Sequence, residues 1–373
     1  MSASEMTSDD IPVGFWPAPA MIDGALFAKG APVFTASVFG FPDNAVGLCA
    51  RIHHNAVDAT GFCEVMQIWA KNMTEETFEF HGISQGRTER LLTALPPALE
   101  ESSDLSLEDL FKRHSEYSKM PPAFPSEFPS CTSKDFRIFA HWIDVLKELL
   151  RKSASTIPTT NSILSALIWG SITRTRLRRD PTLENNMSRL CTAVNTRKRI
   201  NQGKFVDESH YFGNAVVYSL SSCSAASLAK SDETPVSELA RIGEEITQSY
   251  SESVINPHHI AETCHLLEKL EDYRSVFVGW DLFGSRDLTI TSWADLELYD
   301  MNFEELLGYP QFIRMPYIEA DGVVIVLPRK KAIAGPEDKL EVIIMLRTVR
   351  WPLWRQTACG KHLDQPEKLK SDR

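Results

Sequence analysis

Close pairs of cysteine are missing from this chain. Its seven thiols, Cys49, Cys63, Cys131, Cys191, Cys223, Cys264 and Cys359, are odd in number and widely scattered. Zinc ribbons and dithiol redox motifs need cysteines two to four residues apart, so neither is expected; reduced, mostly buried thiols are. Long apolar runs are missing too. Nothing approaches the ~20 residues of a membrane-spanning helix, and the opening MSASEMTSDD has neither the basic start nor the apolar core of a secretory signal, so a cytoplasmic protein without a membrane partner is expected. Positive charge is scarce: 39 Lys and Arg against 50 Asp and Glu leave a net charge of -11. Binding along nucleic-acid phosphates runs on clustered cations, and nucleic acid is therefore not an expected partner. No Walker pattern occurs and no G-x-G-x-x-G follows a strand, which removes the usual support for nucleotide hydrolysis and nicotinamide chemistry.

What is present suits a folded α/β chain. Hydrophobic residues make up 43% of the 373, enough for one large core or two medium ones, and two lobes are expected. Residues 33–39 and 46–53 are rich in β-branched and aromatic residues and flank the turn-like FPDNA, which predicts a hairpin. Apolar residues then recur at helical spacing from Gly61 to Lys71. From about residue 95 to 133 the pattern breaks into Pro pairs, Ser and acids, read as an inter-lobe connector without a packed element of its own. The expected domains are 1–105 (part of a first lobe), 106–134 (connector) and 135–373 (second lobe). Beyond the connector, helices are predicted at 139–152, 161–178, 235–252 and 258–272. Strands are predicted at 189–195, 214–220, 287–293, 311–318, 322–327 and 340–346.

The run HHNAVD falls between the second strand and the first helix. Moving an acyl group from a thioester to an alcohol requires a base for the hydroxyl proton, and histidine suits that role near neutral pH, which makes His54 a candidate base. Asp58, four residues on, either hydrogen-bonds near the imidazole or locks the turn through an ion pair with a distant Arg. The spacing alone is close to chance in a chain with ten histidines; its strand-end position, followed by the small residues Ala59-Thr60-Gly61, raises its weight.

With its surroundings, the run LCARIHHNAVDATGFCEVMQIWAKN resembles the signature of the BAHD-type acyltransferases, in particular the fungal branch that contains trichothecene 3-O-acetyltransferase. Later segments match in the same order: CTAVNTRKRI, YFGNAVVYSL, and LTITSWADLELYDMNFEELLGYPQFIR, so the resemblance spans about residues 12 to 355. It implies an α/β fold of two chloramphenicol acetyltransferase-like lobes, with mixed sheets flanked by helices and a channel between them. It also implies a monomer that binds no resident cofactor and uses acyl-CoA, expected to be acetyl-CoA, as co-substrate, with a hydroxylated fungal secondary metabolite as acceptor. His54 would act directly, without a covalent acyl-enzyme, and Asp58 would pair with Arg197 or Arg199, of which Arg199 is the expected partner. Thr291 and Trp293 would stand near the reacting carbonyl, and Gly213 and Asn214 would shape the channel.

Three departures from the family pattern carry expectations of their own. Ala59 stands where a Gly is usual, at a cost of about 1 kcal/mol if the position needs a positive φ. Asn302 and Glu304 replace the Asp and Gly of the family's D-F-G stretch, with loss of an ion pair to an Arg expected. The motif also comes early in the chain, so an incomplete first lobe is expected, and with it an alternative reading: a non-catalytic remnant that binds CoA or another small molecule. Residues 82–86, Gly-Ile-Ser-Gln-Gly, match the nucleophile elbow of esterases at Ser84, but the polar ETFEFH before them is a poor buried strand. Asn256-Pro257-His258-His259 with Cys264 and His265 reads as a solvated helix start, since adjacent histidines cannot share one helical face; no metal is expected. The basic runs Arg174/Arg176/Arg178/Arg179 and Arg329/Lys330/Lys331 read as solvated faces or helix ends, and Trp142, Trp169, Trp351 and Trp354 as core.

Overall fold

The computed structural model describes residues 30, 32–74, 87–95, 104–152, 158–203, 211–230, 236–315, 319–330, 338–357 and 360. The chain opens with the expected hairpin: β1 (Phe34–Gly40) pairs antiparallel with β2 (Val46–Ile52), and Asn44 takes the left-handed φ of 64° that the turn needs. Helix α1 (Ala59–Met73) follows at once and packs Trp69 edge-on against Phe34 of the hairpin. Next come α2 (Arg87–Ala94), α3 (Leu107–Arg113) and the two-residue β3 (Tyr117–Ser118). Helix α3 lies inside the stretch read as a bare connector. Ser106 caps it and Leu110 is fully buried, which anchors a segment whose Pro and Ser content concealed it.

The remaining elements in order are β4 (Cys131–Phe139), α4 (Ala140–Leu150), α5 (Thr160–Arg179), β5 (Met187–Asn195), β6 (Val216–Ser224), α6 (Ala225–Lys230), α7 (Val236–Ser249), α8 (Pro257–Glu268), β7 (Phe277–Val278), β8 (Leu288–Ser292), α9 (Glu304–Leu307), β9 (Val323–Val326), β10 (Lys339–Arg347) and α10 (Trp351–Trp354). Six strands make one mixed sheet in the order β4-β10-β9-β8-β5-β6, parallel at its centre where β8 lies between β5 and β9. β3 pairs with β7, and so ties the connector to the segment before β8.

The central strands are covered on both faces, as parallel pairs usually are. Leu288, Ile290, Val324, Val326, Val342 and Ile344 pack into one core with α5, while Ile325, Ile343 and Met345 of the same strands form another beneath Trp293 and Met315. Helix α5 is buried along most of its length, and its Trp169 satisfies the indole N–H by donating to Ser188 Oγ at 2.9 Å.

Several expectations need correction. Residues 311–315 are not a strand: Ile313 spends its amide on Tyr299 Oη, and Arg314 turns to Glu341. β4 was missed altogether and runs straight into α4. Trp142 is 54% exposed and stacks on His141, whereas Trp169, Trp351 and Trp354 are core. Of the basic run on α5, Arg174 and Arg176 are buried: Arg174 donates to the Ala229 carbonyl and Arg176 to that of Asp287, close to Asp321. Arg178 and Arg179 do sit exposed at the helix C-terminus. No helix among the described residues is long and apolar enough to cross a membrane. Cys131, Cys191 and Cys223 are buried thiols and Cys49, Cys63 and Cys264 half-buried ones, with no disulfide among the described residues.

Among the departures noted above, Ala59 is helical with an ordinary φ, so the strain expected there does not arise. It arises at Glu304 instead, with φ 58° where the family has Gly. Asn302 accepts from the Glu304 amide, and the Glu304 and Gly308 backbones close the short α9 turn. Glu304→Gly is therefore expected to stabilise the protein by about 1 kcal/mol, read as a higher urea midpoint at unchanged slope; an unmoved or lower midpoint would show that the turn carries no such strain.

Candidate active site

Strand β2 ends at Ile52 and hands the chain to a tight turn. The His53 amide donates to the Val33 carbonyl at 2.8 Å, and His53 Nδ1 accepts from the Asn55 amide at 3.1 Å, so His53 is tied into the turn. His54 is exposed, and its own carbonyl accepts a 2.9 Å hydrogen bond from Asn214 Nδ2. The turn is thus held from the 211–215 segment while the imidazole faces outward.

Asp58 is 2% exposed and occupies the N-cap of α1 in extended conformation, its Oδ1 accepting from the Gly61 amide at 2.9 Å. Arg197 approaches the same carboxylate as a fork: Nη1 to Oδ2 and Nη2 to Oδ1, both at 2.9 Å. The Ala215 amide adds a further bond to Oδ2 at 2.8 Å. The other donors of Arg197 reach the Tyr211 and Gly213 carbonyls and Asn195 Oδ1, and its guanidinium lies over the Tyr211 ring. Of the two roles open to Asp58, the structure selects the ion pair: its oxygens hold the loop and the helix start and are not bonded to the His54 imidazole.

One expectation changes here. Arg199 is not the partner of Asp58; it points the other way, donating to the carbonyls of Tyr250, Ser251 and Ile255. The two arginines lie two residues apart in a 3-10 turn, which sends their side chains to different neighbours. Asp58 is bonded to an Arg, as the resemblance implied, and not to the His54 imidazole.

Residues not singled out in the sequence complete the clasp. Asn195 donates to Thr60 Oγ1 at 3.0 Å and accepts from Arg197, which links β5 to the start of α1. Gly61 has no room for a side chain, since a Cβ would lie 2.3 Å from the Phe212 carbonyl oxygen. Both sit inside the matched motifs, where their letters were visible but their contacts were not. Glu64, one turn further along α1, has its carboxyl pushed up to about 7, chiefly by burial and further by Asp58, against the opposing pull of Arg197. Trp293 sets its ring 6.0 Å from that of Phe62 on α1 and bonds its amide to Val326. Thr291 is half-buried in β8 beside Ile325. Ser84 lies outside the described residues. A cavity of about 320 Å³ opens elsewhere, between Phe128, Trp280, Asp321 and Arg347, and none of the residues named for the reaction lines it.

A model of the Transferase family matches residues 22–350. The chain belongs to this family. The BAHD-type resemblance read from the motifs is thereby borne out, along with the chloramphenicol acetyltransferase-like α/β fold. Trichothecene 8-O-acetyltransferase of Fusarium sporotrichioides is 26% identical over 323 residues, covering 79% of this chain, and O-acetyltransferase ptmV of Penicillium ochrochloron is 25% identical over 374 residues, covering 89%. The chain spans 64% of the length of the first and 73% of the second. Among solved structures, TRI101 of F. sporotrichioides complexed with coenzyme A and T-2 superposes with a TM-score of 0.72 at 19% identity, over 89% of this chain and 70% of that one. Vinorine synthase gives a TM-score of 0.55 at 15% identity, over 86% and 64%.

Proposed function

We propose that this family member transfers an acetyl group from acetyl-CoA to a hydroxyl of a fungal secondary metabolite, with His54 as general base. The observation that carries the reading is the clasp: Asp58, Arg197 and Asn214 fix the turn so that an exposed imidazole stands at the end of β2. The names of the relatives, O-acetyltransferases including one of trichothecenes, support acetyl transfer to an acceptor of this class. The complex of TRI101 with coenzyme A and T-2 supports CoA as the carrier.

In the proposed step an imidazole nitrogen of His54 takes the acceptor's hydroxyl proton as its oxygen bonds to the thioester carbonyl carbon. The carbon–sulfur bond then breaks, and the CoA thiolate leaves and recovers the proton. Thr291 and Trp293 are the candidates for stabilising the developing oxyanion. Asp58 takes no proton, because both its oxygens are occupied by Arg197 and backbone amides.

The test is turnover of acetyl-CoA with a panel of hydroxylated terpenoids, alkaloids and polyketides, following free CoA thiol and acetylated product by mass spectrometry. Acceptor-dependent thiol release is expected. CoA binding with no release for any acceptor would replace the enzyme by the binding remnant.

A further inference from the structure

His258 and His259 point to different neighbours, as adjacent helical residues must, but a partner set from the connector completes what α8 alone lacks. His114 caps α3, Glu116 follows two residues later, and both face α8. His114 Nδ1 lies 2.9 Å from Glu116 Oε1, and His259 Nε2 lies 3.2 Å from the same oxygen. One ligand atom from each of His114, Glu116 and His259 lies within 4.8 Å of the other two. Three further observations bear on what this cluster can hold.

First, the spacing fits a metal. Zinc bonds to imidazole nitrogen and carboxylate oxygen of ~2.0–2.1 Å place neighbouring tetrahedral ligands roughly 3.3 Å apart. The two edges given above are already close to that length. Second, His259 Nε2 is buried 3.2 Å from Glu116 Oε1 but forms no well-aligned hydrogen bond there, which leaves the nitrogen incompletely satisfied. Third, the outer nitrogen of His114 is served as in a metal site: Nε2 faces Glu262 Oε2 at 3.3 Å, and Glu262 is itself held by Arg113 at 2.6 Å. A carboxylate behind a ligating histidine fixes its ring and raises its basicity. The His114 side chain is 1% exposed and that of His259 18%.

We propose that His114, Glu116 and His259 bind one zinc-class divalent cation that fastens the connector to α8, with Glu262 orienting His114 from behind. Two imidazoles and one carboxylate are a donor set suited to zinc, and the fourth position falls to water or to the Thr263 hydroxyl, 3.4 Å from His114 Nδ1. The site uses none of the residues named for the reaction and does not depend on the proposed acetyl transfer. The reading of this segment as a solvated helix start describes His258, half-exposed and paired with Glu262; under the proposal His259 has a further role.

The test uses tag-free full-length protein, dialysed against zinc(II), passed through gel filtration and assayed for bound metal. About one zinc per chain is expected, together with a higher melting temperature than in EDTA. His259→Gln and Glu116→Gln, checked for native circular dichroism, should retain no zinc and lose the melting response. Glu262→Gln should weaken binding by roughly 10–100-fold. No retained zinc and no melting shift in the wild-type protein overturns the proposal. So does stoichiometric zinc that persists in both folded variants, since it would then reside on other groups such as the thiols.

Discussion

His54→Ala is expected to lower kcat for acetyl transfer by about 10²–10⁴-fold while leaving the protein folded and its apparent affinity for acetyl-CoA nearly unchanged. The size is that of a positioned general base, equivalent to about 3–5 kcal/mol of transition-state stabilisation. Stability should stay within about 0.5 kcal/mol because the side chain is exposed and only the main chain of His54 is bonded, to Asn214. His53→Ala is the matched control. Its ring organises the turn through the Asn55 amide, so its loss should loosen the loop and reduce turnover by a smaller factor. Steady-state kinetics on both variants, with denaturation midpoints, check the pair. Retained turnover in His54→Ala would remove the base assignment, and a greater loss in His53→Ala would move it one residue back.

Why one part of this site was legible in the chain and another was not follows from the range of the interactions. His54 and Asp58 lie four residues apart between a strand and a helix, and that position together with the ordered motifs located both. The choice between Arg197 and Arg199 depended on which side chain turns inward from a 3-10 turn, a matter of which neighbour is 2.9 Å away; motif letters carry no such information. The hairpin, α1, α5 and the central strands were readable because their apolar periodicity matches their burial. β4 was hidden behind a Pro-rich lead-in, and residues 311–315 resembled a strand in composition although their amides and side chains are committed elsewhere. The cluster of His114, Glu116 and His259 joins two distant segments, neither of which completes a ligand set by itself. For the same reason the Gly61 constraint was invisible: it is imposed by the Phe212 backbone, not by the helix it belongs to.

The largest stability effect is expected at Arg197. In Arg197→Met the Asp58 carboxylate keeps its backbone donors but loses both guanidinium bonds, and it remains 2% exposed. An unpaired buried charge of this kind costs about 3–5 kcal/mol, against the 5–15 kcal/mol that typically holds a domain together. Arg197→Lys should recover part of the loss, since an ammonium supplies the charge but not the two-pronged fork that also reaches Tyr211 and Gly213. Arg199→Met should cost less than Arg197→Met, because Arg199 donates only to carbonyls and leaves no charge behind. Combining Asp58→Asn with Arg197→Met should cost less than the sum of the single changes, as the double variant buries no lone ion. Urea midpoints of the four variants and the double test the scheme. If Arg197→Met matched the wild type, or if the two changes simply added, the pair would not be the fastening between the His54 turn, the start of α1 and the 211–215 segment. Added salt should leave the ranking in place, because a pair this deeply buried is little screened by mobile ions.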